Sequence, residues 1–209
     1  MKKLILLLTA LLASAALTFA QTPEEIVKNM EAQMDKADQA GLQVTMELKI
    51  PIIGTTSARM HVLGKKSRTD IALKDHKSTM WTDENTIWTW TNTPAQNEVV
   101  VENKKESSSS SEDNLKLAEG ITEGYDVTLT KETADAWYLN CKKSKSNTDK
   151  DDPKTITLVV EKGTYMMKEL STKVQGLTVA LKDAKLGVSE SDVTFDISKC
   201  PGAKLTDKR

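Results

Sequence analysis

No C-x-x-C pair occurs in this sequence, and it holds only two cysteines and two histidines in 209 residues. A dithiol redox centre needs the paired cysteines, and a structural zinc site needs four closely spaced ligands. Cys141 and Cys200 are far from His61 and His76, so no metal is expected. His61 falls at a polar position of a strand pattern, and His76 stands in a charged turn with Lys74, Asp75 and Lys77. Neither histidine belongs to H-E-x-x-H, and no serine sits in a G-x-S-x-G elbow. Asp149, Asp151 and Asp152 lack the glycine and terminal glutamate of a calcium loop, and Pro153 follows them directly. Glu24 and Glu25 fit a helix start, where the macrodipole favours acidic groups. No catalytic constellation is left, so the expectation is a protein that is no enzyme and takes no cofactor. The 29 basic and 30 acidic side chains nearly cancel, which gives no basic excess for nucleic acid. Phenylalanine is nearly absent, so any core has to be built from Leu, Ile, Val, Met and Trp.

One long apolar run is present. Lys2 and Lys3 precede an apolar or small stretch from Leu4 to Ala20, with Thr18 and Ala20 at the small positions of a cleavage site. We read residues 1–20 as a Sec signal peptide cleaved after Ala20, the alternative being an uncleaved anchor. No cysteine follows the cut, so no lipid is attached there. The product is an exported protein whose fold is one domain over residues 21–209. In an oxidising compartment the two cysteines are expected to pair, Cys141 with Cys200, the alternative being two free thiols. A loop of that length would stabilise the fold by about 4 kcal/mol.

A helix is predicted at the start of the mature chain. Thr22 is the N-cap, Pro23 the first helical residue, and Glu25 completes a capping box. Ile26, Val27, Met30, Met34 and Ala37 form one apolar face, and Gly41 ends the segment. The period then switches to two. Val44, Met46, Leu48 and Ile50 alternate with polar residues, as do Ala58, Met60 and Val62, then Thr69, Ile71 and Leu73. Thr79–Asn103 reads as a three-strand meander turning at Asp83–Asn85 and at Thr93–Gln96. Trp88 and Trp90 stand two apart and share a face. Further strands are predicted from Tyr125, from Trp137, from Ile156, over Tyr165–Leu170, over Leu177–Leu181 and over Val193–Ile197. The connections are too short for parallel crossovers. The fold class is therefore mostly β with α (α+β), a curved antiparallel sheet or half-open barrel of about eleven strands. Lys104–Glu112 carries an unbroken serine run and reads as a flexible loop. Asp113–Gly120 reads as a short helix, either an exposed insertion or a lid.

Two local patterns resemble the LolA-like periplasmic lipoprotein-carrier superfamily. One runs Thr82-Asp83-Glu84-Asn85-Thr86-Ile87-Trp88-Thr89-Trp90, followed by Pro94, Gln96 and Val99-Val100-Val101. The other is Phe195-Asp196-Ile197-Ser198-Lys199-Cys200-Pro201-Gly202-Ala203. The resemblance implies a half-open barrel with helices as a lid over an apolar cavity. It implies a periplasmic carrier of acylated lipoproteins or other lipids, moving them from the inner to the outer membrane. It also implies an inner-membrane release complex and an outer-membrane acceptor as partners. Other members of that superfamily sense envelope stress, so an interaction module without lipid cargo is the alternative. The family's arginine before proline has no counterpart here. Lys65, Lys66 and Arg68 are the candidates for a basic gate. Met30, Met34, Met46, Leu48, Met60, Trp88 and Trp90 are the candidates for the lining of the cavity, although methionines also fill ordinary cores. A monomer is expected, with no nucleic-acid partner.

Overall fold

The structure, a computed structural model, describes residues 21–51, 54–73, 76–104, 120–174 and 176–209. The signal segment, most of the serine-rich loop and most of the expected lid helix lie outside the described residues. The mature chain opens with α1 (Pro23–Met34). Thr22 Oγ1 accepts from the Glu25 amide at 3.2 Å, and Glu25 Oε2 accepts from the Thr22 amide at 3.0 Å, so the capping box forms as its sequence dictates. A short α2 (Ala37–Ala40) follows.

Twelve strands then form one sheet. They are β1 (Leu42–Ile50), β2 (Gly54–Leu63), β3 (Lys66–Leu73), β4 (His76–Thr82), β5 (Thr86–Thr93) and β6 (Gln96–Asn103), then β7 (Tyr125–Glu132), β8 (Ala136–Lys143), β9 (Thr155–Glu161), β10 (Met167–Val174), β11 (Leu177–Leu186) and β12 (Lys204–Asp207). A one-turn α3 (Ile121–Gly124) leads into β7, and α4 (Glu190–Val193) follows β11. The order across the sheet is β12-β6-β5-β4-β3-β2-β1-β11-β10-β9-β8-β7. Every pairing is antiparallel except β12 with β6. The sheet is curved and does not close. This is the half-open architecture that the two-residue periodicity and the short connections predict.

Three segments differ from the sequence reading, each for a local reason. The strand expected at Val193–Ile197 is instead α4 and a 3-10 turn (Ile197–Lys199). Asp192 closes a capping box on Ser189, and Asp196 accepts from the Ser198 amide at 2.9 Å. Such side-chain bonds to nearby backbone compete with a sheet ladder. The strand expected from Tyr165 begins at Met167, because Tyr165 has φ 57°, which extended backbone excludes. The twelfth strand, Lys-Leu-Thr-Asp, is too short to announce itself by alternation.

The two faces of the sheet carry separate cores. On one face Ile26, Val27 and Met30 of α1 are fully buried against Val44, Met60, Ile156, Leu158, Met167 and Leu181. Burying each such side chain contributes about 1.5–3 kcal/mol. On the other face Trp81, Val99, Val101 and Cys200 are buried, with Trp88, Trp90, Phe195 and Ala203 packed beside them. The chain reaches that second face beside Gly41. There the Gly187 and Val188 amides donate to the Ala40 carbonyl at 3.1 and 3.0 Å. Gly41 has φ +72°, and a Cβ added to it would lie 2.6 Å from Val188 Cβ, so only glycine fits this crossing.

Candidate functional site

Directly paired residues of neighbouring strands project to the same face. One row runs Val44–Met60–Thr69–Met80–Thr89–Val100 across β1 to β6. It lies on the α1 face. Burial falls along it: Val44 is 0 % exposed, Met60 2 % and Thr69 8 %, while Met80, Thr89 and Val100 are only partly buried. Ile71 and Ile87 flank the row on the same face and are also partly buried. The α1 face is thus filled with aliphatic and thioether side chains beneath the helix, and continues over β3 to β6 as a partly buried strip in which Met80, Ile87 and Val100 stand among Thr69, Thr82, Thr89 and Glu102.

The other face carries the row His61–Arg68–Trp81–Trp88–Val101. Residues 188–203 lie over it as a strap. Phe195 stacks on Trp88 with ring centroids 5.4 Å apart and meets Trp81 edge-on, also at 5.4 Å. Lys66 pairs with Glu190 of α4, and Lys199 donates to the carbonyls of Ser191 and Thr194 at 2.5 and 3.1 Å. Asn97 donates to the Pro201 carbonyl at 3.0 Å and accepts from Trp90 Nε1 at 2.9 Å. The Arg68 guanidinium lies 5.7 Å from the Trp81 ring centroid and donates to Asp70 Oδ1, which also accepts from Thr79. Two buried polar atoms beneath the strap, His61 Nδ1 and Trp81 Nε1, have no hydrogen-bond partner among the described residues. Burial pushes the His61 pKa below 6.5, and nearby Asp70 only partly opposes this.

The expected site residues are therefore divided. Met30, Met34 and Met60 come together in the core, with Met46 partly buried against it and Leu48 further along the same strand face. Trp88 and Trp90 do not join them, because the register puts both on the strap face. Lys65 and Lys66 stand at the β2–β3 turn, paired with Glu84 at 2.7 Å and with Glu190. Arg68 stands two residues along β3 from Lys66 and shares the strap face with it, paired with Asp70 at 2.9 Å. The expected disulfide is also corrected: both thiols are free and buried. Cys141 packs with the α1-face core on β8, while Cys200 packs against β4 to β6 on the opposite face. The sheet itself separates them. Burial pushes the Cys141 thiol up to about 12 and raises Cys200 as well. Sequence reasoning missed Met80, Ile87 and Val100 as the open end of the strip. Their partner positions depend on turn lengths rather than on alternation.

No protein-family model matches the chain, and no curated protein matches it. Among solved structures it is similar to the lipoprotein LppX of Mycobacterium tuberculosis, at 13 % identity, covering 75 % of this chain and 92 % of that one, with a TM-score of 0.47. It is similar to an uncharacterized conserved protein from Thermus thermophilus at 13 % identity, covering 90 % and 100 %, with a TM-score of 0.45. A LolA superfamily protein from Nitrosomonas europaea matches at 12 % identity over 85 % of this chain and 99 % of that one, with a TM-score of 0.32. What the site does has to be read from its own side chains.

Proposed function

We propose that the protein is an exported binder and carrier of acyl chains. It would work in the periplasm after cleavage behind Ala20, on acylated lipoproteins or other lipids passing from the inner to the outer membrane. The observation that carries this reading is the partly buried strip of Met80, Ile87, Thr89 and Val100, continuous with the buried methionines under α1. An acyl chain laid along that strip would replace water on apolar surface and extend the existing core. Each methylene buried contributes about 0.8 kcal/mol. Flexible thioethers fit irregular chains without a fixed shape. Met30 and Met34 of α1 would meet the acyl chain at the covered end of the strip. No bond is made or broken, and release reverses binding.

A series of fluorescent acyl probes of increasing length tests the proposal. Delipidated protein should bind them saturably, with affinity rising about fourfold per methylene until the strip is filled. A second reading, an envelope interaction module without lipid cargo, is favoured by the tightness of the α1 core, where Ile26, Val27 and Met30 are all 0 % exposed. No probe binding by correctly folded, lipid-free protein would select that reading.

A further inference from the structure

The two rims of the sheet are built differently. One rim holds the β2–β3, β4–β5, β7–β8 and β9–β10 turns. Four of its lysines are in ion pairs, Lys65 with Glu84, Lys66 with Glu190, Lys162 with Glu132 and Lys168 with Asp135, while Lys185 at the end of β11 is in none among the described residues. The opposite rim holds the paired ends of β1 and β2, of β3 and β4, and of β10 and β11, together with the β8–β9 loop. Strand order makes the first three neighbours. Two of the five large apolar side chains most exposed among the described residues stand there, Leu73 at 48 % and Val174 at 39 %. Lys49, Lys77, Lys154 and Lys173 are exposed on the same rim, and among the described residues none of them is in an ion pair. Beside Val174 a hollow of about 680 Å³ opens between the β8–β9 loop and β9 to β11. Lys154 and Lys173 line it with the hydroxyls of Thr157, Ser171 and Thr178, and the Thr157 and Ser171 hydroxyls are 2.7 Å apart. Lys150, Asp151 and Asp152 of the β8–β9 loop line the hollow as well, and Asp149 stands on the same loop. Asp152 accepts from Asn147 Nδ2, and Asp149 accepts from the Asp151 amide.

We propose that this rim docks on the surface of an anionic phospholipid bilayer, with Leu73 and Val174 entering the interface and Lys49, Lys77, Lys154 and Lys173 facing the lipid phosphates. Exposed apolar tips gain by leaving water, and free lysines gain at a negative surface. On this rim Lys49, Lys77, Lys150, Lys154 and Lys173 outnumber Asp149, Asp151 and Asp152, and that excess beside exposed apolar tips selects an anionic bilayer over a second copy of this chain. The inference rests on the acyl-carrier reading, which it extends from what is carried to where it is collected.

The test is flotation of the full mature protein with vesicles of phosphatidylglycerol and phosphatidylcholine in equal parts, against vesicles of phosphatidylcholine alone. The wild type should float with the anionic vesicles and be released by high salt. Leu73→Glu with Val174→Glu should abolish flotation. Lys154→Gln and Lys173→Gln should each weaken it about fivefold, while Lys168→Gln on the other rim leaves it unchanged. Absence of flotation by the folded wild type, or equal flotation by the Leu73/Val174 double variant, overturns the proposal. A soluble acyl probe, titrated without vesicles, separates the two readings. The rim variants should bind it like the wild type, whereas a wild type that floats but takes no probe would contradict the acyl-carrier reading and leave the rim standing.

Discussion

The two faces of one sheet are closed by different means. On one, α1 inserts Ile26, Val27 and Met30 into a buried core of aliphatic and thioether side chains. On the other, a strap with only a one-turn helix and a 3-10 turn covers aromatic rings and leaves His61 Nδ1 and Trp81 Nε1 without partners among the described residues. A buried polar atom left unpaired costs about 1–3 kcal/mol. The helix face thus holds most of the stabilisation that is free of polar penalty. The strap face is held by ring stacking and by a few bonds to its backbone, and is the easier of the two to open. The partly buried strip belongs to the first face and the tryptophans to the second, so acyl binding and tryptophan environment should respond to different substitutions.

The largest effect is expected on the helix face. Met30→Asp buries a charge in an aliphatic site and should cost at least about 4 kcal/mol, read as a fall in the denaturant midpoint or as failure to fold. A loss no greater than that of a surface substitution would mean α1 is not docked as described. On the strap face Phe195→Ala should cost about 2–3 kcal/mol and shift tryptophan emission to the red, because Trp81 and Trp88 both lose their ring partner. Unchanged emission would show that the strap does not cover them. Thr22→Ala removes the capping oxygen of α1 and should cost about 1 kcal/mol.

A smaller effect separates the faces by pH. His61 is held below 6.5 by burial, so as pH falls below that value the unfolded chain takes up the proton before the folded one. The stabilisation is present above pH 6.5 and is lost as pH drops towards the lowered native value. His61→Gln should flatten the denaturant midpoint between about pH 7.5 and about 5. Asp192 and Asp196 of the strap are held below their ordinary 3.8 and act only in more acidic solution. An unaltered slope would place the titrating group elsewhere. Finally, neither thiol is a reactive thiolate at neutral pH. Alkylation of native protein should be slow at Cys141 and Cys200 and complete at both after unfolding, with no reductant needed.

Much of this is legible in the residues. The capping box of α1, the alternation of β1 to β6 and the shortness of the connections lead to a helix on an open antiparallel sheet. Alternation, however, fixes only which residues within one strand share a face. It does not relate Trp88 on β5 to Met60 on β2. That relation is set by the turns between them, and a one-residue change in pairing reverses every face. The expected disulfide fails for the same reason, since compartment and cysteine count say nothing about the side of the sheet on which each thiol lies. The strap reads as a strand because Phe195 and Ile197 alternate with polar residues. The bonds made by Asp192 and Asp196 to nearby backbone decide otherwise.

The most direct test of the acyl-binding face is a titration of delipidated protein with one fluorescent acyl probe, comparing Met80→Glu with Trp88→Ala. The two residues lie on neighbouring strands but on opposite faces. Met80→Glu should weaken binding at least about tenfold without changing the denaturant midpoint, by placing a charge on the strip. Trp88→Ala should bind the probe as the wild type does. Equal weakening by both, or weakening by Trp88→Ala alone, would contradict the assignment of the acyl site to the α1 face.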